Sequence, residues 1–424
     1  MKVYKFGGAS VRNADGVRNL LKIIGDERDL FIVVSAMGKT TNALERVFAG
    51  LQRGDRTGAL EEVAALRACH AAIVDDLWHG PTQLERVEAF FAELERTAAE
   101  GVCREEDAEL WYDRIVAFGE LISTSIISEY LAYAGVPNRW VDMRRALVTE
   151  QRHKDAEVDL AASAPRLRAE VEGRPERVFV GQGFIGGAPD GTTTTLGREG
   201  SDYSAAVAAN ILGAESMAVW KDVDGVLNAD PKIFPDAVQI AELNYLDTIE
   251  LAYSGAQIIH PRTIKPLQNS NIPLYVRPFG DKRKPGTVIR GVSAPVEVPI
   301  LILKKDQVLL TIRSRDFSFV LEEKFAAIFS LLERYRIKTN LIHNSAVNLS
   351  LCIDDSWHVD QAVAALREEG FDVMKIERME LLTVRGYTDE LWQRYASGPR
   401  VFIRQATQST VRVVRKAEAS EQRK

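Results

Sequence analysis

Apolar and polar positions divide this chain into two stretches with different rhythms. In the first, short apolar runs alternate with longer segments of helical spacing. Lys2–Phe6 reads as a strand that runs into Gly7-Gly8. Over 15–25, Val17, Leu20, Leu21 and Ile24 share one helical face. Residues 30–35, LFIVVS, form the uninterrupted apolar run expected of a parallel strand buried on both faces. Ser35-Ala36-Met37-Gly38 ends it, and Thr40-Thr41-Asn42 opens another helix. Long helical stretches are predicted over 59–100 and 105–134, the second interrupted at Phe118-Gly119-Glu120. A turn and a strand are predicted over 135–141, and strands at 178–180, 217–220 and 272–276, with helices over 246–252 and 255–267. Strand, loop and helix in repeated succession predict an α/β fold with a mainly parallel sheet.

The charged, Gly- and Pro-bearing stretch 281–299 marks a boundary, and the rhythm changes beyond it. Strands at 308–313, 338–343, 347–353 and 371–376, with helices over 321–336 and 358–369, give a βαββαβ unit of ferredoxin-like order. Residues 380–386, 389–396, 400–405 and 410–414 read as β-α-β-β, a second copy lacking its last helix and strand.

With 424 residues and 46% apolar residues the chain has room for two or three domains with full cores. A net charge of -6 leaves no basic footprint for nucleic acid. Cys69, Cys103 and Cys352 lie far apart and match no metal or redox spacing. Lys5 interrupts what would have to be the apolar core of a leader peptide, so a cytoplasmic location is expected, with no membrane partner.

The chemistry gathers around residues 181–205, GQGFIGGAPDGTTTTLGREGSDYSA. A strand precedes this loop and an alanine-rich helix follows it. Glycines let backbone N–H groups approach a ligand, and a helix start favours an anion. Arg198 can grip a carboxylate through two parallel hydrogen bonds. Asp202 could orient a phosphate-binding lysine or a metal-bound phosphate. Lys5, before Gly7-Gly8, would be a mobile positive charge over amides that hold phosphate oxygens; an edge lysine is the plain alternative. Ser35, Thr40 and Thr41 sit where ligands collect in open α/β sheets, and either threonine could equally cap its helix. Glu120 lies among apolar neighbours and needs a partner, unless it sits on a solvated helix face. Asp222 and Asp224 suit Mg²⁺ or ribose contacts, or only a turn. His260 reads as structural, and GxxxxGK[ST] is absent.

Together these pieces resemble the aspartate kinases of the amino-acid kinase family. The matching motifs are KFGGAS (5–10), VVSAMG (33–38), GFIG through GTTTTLGREGSDYSA, WKDVDGVLNADPK (220–232), SGAQIIHPRTI (254–264) and RPFGDKRKPGT. The resemblance covers 1 to about 290 and runs into C-terminal modules of ACT type. It implies a three-layer catalytic domain over 1–290, a first ACT-type module over 300–377 and a partial second over 378–418. It also implies transfer of the ATP γ-phosphoryl group to the β-carboxylate of L-aspartate, with Mg²⁺ accompanying ATP. That reaction opens the route to lysine, threonine, methionine and diaminopimelate. By the same resemblance, Lys5, Gly7, Gly8 and Ser10 would hold the β- and γ-phosphates. Ser35, Thr41, Glu120, Arg198 and Ser201 would bind aspartate, and Asp202 would organise the reacting groups. Lys221, Asp222, Lys232 and Gln257 would lie along the nucleotide. Ser314, Asp316, Phe317 and Ser318 would form an effector loop for lysine or threonine, and the ACT modules would pair copies into a homodimer or larger homo-oligomer.

The chain departs from the family pattern at four places. Glu199 replaces a glycine, Lys221 a threonine, Gln257 a lysine and Lys232 an arginine. Lys221 is expected to supply the charge that Gln257 lacks. Two rival readings remain at this point. One is a kinase of this fold acting on glutamate or a nucleotide; the other is a non-catalytic amino-acid sensor.

Overall fold

The computed structural model describes the chain except residues 26, 102–103, 257–258, 294–295, 316–321 and 418–424. It divides into two compact units. The first comprises Met1–Val226, Gln239–Ile249 and Ile258–Ala294; the second comprises Leu227–Val238, Glu250–Gln257 and Pro295–Lys424.

The first unit is built on an eight-stranded sheet. In chain order its strands are β1 (Lys2–Phe6), β2 (Leu30–Val34), β3 (Asn138–Val141), β4 (Val178–Gln182), β5 (Ser216–Lys221), β6 (Glu242–Asn244), β7 (Leu274–Pro278) and β8 (Thr287–Arg290). The spatial order is β6-β8-β7-β5-β1-β2-β4-β3. All pairings are parallel except β7 with β8. β2 is buried at every residue, as its unbroken apolar run requires. In β1 the alternation of side chains sends Tyr4 and Phe6 to one face, where Phe6 stacks on Trp220 and meets Phe279 edge-on. Lys5 goes to the other face, where the helix Gly200–Ile211 lies.

The helix expected from 15–25 spans Ala14–Ile24; Asn13 caps it by accepting from Gly16 N at 3.0 Å. It buries Val17, Leu20 and Ile24 as the spacing implies, but Ile23 is buried in place of Leu21, which is only partly covered. The stretch 59–100 is two helices, Arg56–Trp78 and Glu85–Glu100, parted where His79 turns left-handed (φ 60°). The stretch 105–134 does break, at Ala117 between the helices Ala108–Val116 and Phe118–Tyr133, two residues before Gly119. Gly119 itself lies inside the helix Phe118–Tyr133, where an added Cβ would stand 2.8 Å from the Ala36 Cβ. The only described segment long and apolar enough to cross a bilayer, Glu105–Tyr133, is 89% buried over its most apolar window. The helix predicted from Gly255 begins instead at Pro261, because His260 caps it, its ring accepting from Arg262 N at 3.3 Å. The structural reading of His260 therefore holds.

The second unit carries a six-stranded sheet of β9 (Ile300–Ser314), β10 (Thr339–Asn344), β11 (Asn348–Asp354), β12 (Phe371–Arg385), β13 (Val401–Ala406) and β14 (Thr410–Lys416). The order is β10-β11-β9-β12-β14-β13, antiparallel throughout. β9 and β12 are each 15 residues long, where the sequence suggested shorter strands. They pair end to end, with a register break between Lys304 and Gln307. One half of the sheet is the expected βαββαβ unit, whose core includes Leu310, Ile312, Leu332, Leu351 and Leu366. The other half uses the opposite ends of the same two strands: Ile300 pairs with Arg385 and Lys304 with Leu381. The first residues of β9, Ile300–Lys304, thus supply the strand that the C-terminal copy lacks. Leu301 and Leu303 pack with Leu382, Val384, Val411 and Val413, and Phe234 meets Tyr395 edge-on at 6.1 Å.

Candidate active site

Strand ends of β1, β2 and β5 open into one corner of the first unit. The loop after β1 and the loop after β2 are zipped together: Ser35 N donates to Phe6 O at 3.1 Å and Gly38 N to Gly8 O at 2.9 Å. Gly8 allows this contact, since an added Cβ would lie 2.4 Å from the Ala36 carbonyl oxygen. The helix Phe118–Tyr133 delivers Glu120 beneath the second loop, where Ala36 N donates to Glu120 Oε1 at 3.1 Å. The helix Gly200–Ile211 delivers Ser201 and Asp202 from its first turn.

These elements enclose a cleft of about 530 Å³. Of the predicted residues, Lys5, Ser35, Thr41, Glu120, Arg198, Ser201, Asp202 and Lys221 line it. Lys5 Nζ stands 2.7 Å from Asp202 Oδ1, and Lys221 Nζ 3.7 Å from Oδ2. Burial alone would raise the Asp202 pKa; the two lysine charges outweigh it and hold the carboxyl below its ordinary value. Glu120 is the opposite case. Burial pushes it up to about 8, against the Ala36 hydrogen bond and the more distant Lys5 charge. Its second oxygen is buried with no hydrogen-bond partner among the described residues. In the ionised form that oxygen awaits a donor.

A second cleft of about 670 Å³ shares Lys221 with the first. Ser10, Asp222 and Asp224 line it, with Asn13, Gly16 and Phe279. Ser10 Oγ donates to Trp220 O at 3.4 Å, and Lys284 pairs with Asp224 at 2.8 Å. Gly7 lines neither cleft but stands beside Lys5, 3.6 Å from its Nζ to an added Cβ. Thr40 turns its hydroxyl to Met37 O at 2.6 Å. It does not cap the helix it begins. Lys232 is exposed in the segment Leu227–Val238, which packs with the second unit, and lines neither cleft. Gln257 lies outside the described residues, as do Asp316, Phe317 and Ser318. Ser314 is buried in the second unit, accepting from Lys324 Nζ at 2.7 Å, beside a cleft of about 480 Å³.

Sequence reasoning missed Tyr112, Lys154 and Phe184, which also line the first cleft. It also missed their anchor. Asp113, fully buried, accepts from Thr195 Oγ1 at 2.5 Å, from Lys154 N at 2.9 Å and pairs with His153 Nδ1 at 2.9 Å. Burial raises its pKa, and these contacts oppose the rise. Little in the sequence signals it, since Asp113 shares its helix with Glu109 and Arg114 and does not stand out as Glu120 does. Glu199 also lines the cleft, at the N-cap of the Gly200–Ile211 helix in the left-handed region (φ 54°, ψ 27°). That conformation suits the glycine expected there.

Residues 1–278 match the model of the amino acid kinase family. The chain is 34% identical to lysine-sensitive aspartokinase 3 of Escherichia coli over 83% of its own length and 78% of that protein's. The structure superposes on that of E. coli aspartokinase III in complex with aspartate and ADP with a TM-score of 0.82, at 28% identity, covering 99% of this chain and 96% of the other. The form of that enzyme in complex with lysine and aspartate gives 0.81 at 28% identity, with the same coverage of both chains.

Proposed function

Because the chain belongs to the aspartokinases of the amino acid kinase family, we propose that its first cleft takes L-aspartate and that ATP reaches it from the side of Lys221. The observation that carries this reading is the meeting of Lys5, Asp202, Glu120 and Arg198 in one cleft at the strand ends. Glu120 receives the substrate ammonium on its unpartnered oxygen. Arg198 and Ser201 hold the non-reacting carboxylate, with Ser35 and Thr41 completing the wall. An oxygen of the β-carboxylate attacks the γ-phosphorus, the bond from phosphorus to the β-phosphate oxygen breaks, and ADP leaves. An ionised carboxylate is already a nucleophile, so no general base is required. The protein's task is positioning and neutralising charge. Lys5 follows the moving phosphoryl charge, and Asp202 holds Lys5 in place. Gly7, Gly8 and Ser10 offer the phosphates backbone and hydroxyl donors.

Magnesium fits this site as a companion of the phosphates. Among the described residues no three acidic, His or Cys side chains converge, whereas Asp222 offers one hard oxygen donor beside Lys221. One or two carboxylates with phosphate oxygens and waters suit Mg²⁺. Bound so, it would supply charge neutralisation.

We read 1–290 as the catalytic domain and 300–377 and 378–418 as ACT-type modules, the second completed by the start of β9. An amino-acid effector such as lysine or threonine is assigned to the Ser314 region, and pairing of copies through these modules to a homodimer. The enzyme would act in the cytoplasm at the entry to the aspartate-derived amino acids. Coupled ADP release with aspartate, against glutamate as control and with hydroxylamine to trap the acyl phosphate, tests the reading. Equal turnover of glutamate, or none with aspartate, defeats it.

A further inference from the structure

Lys154 is set in the wall of the first cleft by an arrangement that its own residue type does not favour. Its backbone is left-handed, φ 69°, a region costly for any side chain bearing a Cβ. Such a conformation persists only where the surroundings over-determine it. Here they do. The Lys154 N–H donates to both oxygens of buried Asp113, at 2.9 and 3.1 Å. The next two residues are clamped by one guanidinium: Arg262 Nη1 donates to Asp155 Oδ1 at 2.7 Å, and Nη2 to Ala156 O at 2.7 Å.

The side chain so aimed ends in an ammonium 5.2 Å above the Tyr112 ring. Among the described residues no carboxylate lies within ion-pair reach of it. Of the four cations lining that cleft, Lys5 and Lys221 face Asp202, which leaves Lys154 and Arg198 for a space that the buried Glu120 also lines. An exposed lysine with no task would swing in solvent and would gain nothing from a left-handed backbone. A ring beneath an ammonium parks it without neutralising it. The charge stays available for an anion.

We propose that Lys154 is a specificity-determining residue that binds, with Arg198, the non-reacting α-carboxylate of the acidic amino-acid substrate. The inference rests on the proposed placement of aspartate in this cleft. Two cations on that carboxylate make the site demand a full negative charge there. Lys5 and Lys221 remain for the phosphoryl end.

Steady-state kinetics of the full-length enzyme test this with Lys154→Met, Lys154→Arg and Lys154→Gly. Lys154→Met raises KM for aspartate about tenfold, a larger change than in kcat, and leaves KM for ATP where it was. Lys154→Arg recovers most of the loss. Lys154→Gly, which relieves the backbone, melts no lower than the parent yet shows the same KM defect. A substrate whose α-carboxylate is masked as the amide discriminates further: the preference for aspartate over this analogue shrinks about tenfold in Lys154→Met. A purely structural lysine would slow both substrates alike. Arg198→Ala separates the two levels of the argument. If it raises KM for aspartate while Lys154→Met and Lys154→Gly stay within twofold of the parent, Lys154 has no such role. If Arg198→Ala also leaves KM unchanged, aspartate does not bind in this cleft and both readings fall.

Discussion

Lys5 Nζ and Asp202 Oδ1 meet at 2.7 Å with both side chains nearly excluded from water. The pair joins the end of the central strand to the first turn of the Gly200–Ile211 helix. A buried pair of this kind gives little net stability, but breaking it leaves Asp202 with only the more distant Lys221, at a part of the about 3–5 kcal/mol that a fully stranded charge costs. Lys5→Met is therefore expected to lower kcat by at least about 10²-fold and to lower the melting temperature as well. Adding Asp202→Asn removes the Asp202 charge. The double variant should regain melting temperature but no activity. Recovery of neither, or of both, would show that the two residues do not act as argued.

Glu120 sets a pH dependence whose sign follows from its burial. With its pKa pushed up to about 8 from an ordinary 4.5, the carboxyl of the free enzyme is mostly protonated at pH 7. Binding a substrate ammonium needs the carboxylate, so aspartate must expel that proton. KM for aspartate is expected to rise as pH falls below about 8, approaching tenfold per unit. Glu120→Gln should flatten that profile and raise KM throughout.

The same shift acts on stability. The folded state holds the Glu120 proton more tightly than the unfolded chain does. Its contribution is fully present below pH 4.5 and is lost as pH rises through about 8. Denaturant titrations of the substrate-free enzyme between these limits should show a downward slope with pH that Glu120→Gln reduces.

Gly8→Ala tests the contact between the two loops. The new methyl would lie 2.4 Å from a backbone oxygen, so the loop carrying Ser35 must move. Displacement of about 1 Å at a phosphoryl-transfer site costs on the order of 10²-fold in rate. The fold itself, held by the sheet below, is expected to survive, with a far-ultraviolet spectrum like the parent's.

Legibility divided along physical lines. β2, the Ala14–Ile24 helix and the βαββαβ unit could be read from the chain because period and burial coincide there. The residues gathered around Lys5 could be placed because glycines, hydroxyls and charges cluster at strand ends. Lys154 could not. Its position depends on Asp113 and Arg262, which lie 41 and 108 residues away along the chain, and no local pattern encodes a left-handed lysine. The completion of the C-terminal sheet was hidden for the same reason. Strand pairing is non-local, and a count of elements in order cannot show that β9 serves two halves at once.

That double use of β9 gives the last expectation. Leu301 and Leu303 pack with Leu382, Val384, Val411 and Val413 and so fill the place of a strand the C-terminal copy does not itself contain. If this packing holds the second half-sheet closed, Leu301→Ala with Leu303→Ala should destabilise that half selectively. Each truncation of a partly buried leucine is expected to cost about 1–2 kcal/mol, below the 2–5 kcal/mol of full burial. Hydrogen exchange should quicken first in β13 and β14, while β10 and β11, whose core lies with Leu310 and Leu351 on the other half, keep their protection. Equal quickening across all six strands would mean that the sheet opens as one cooperative unit and that the start of β9 has no special role in it.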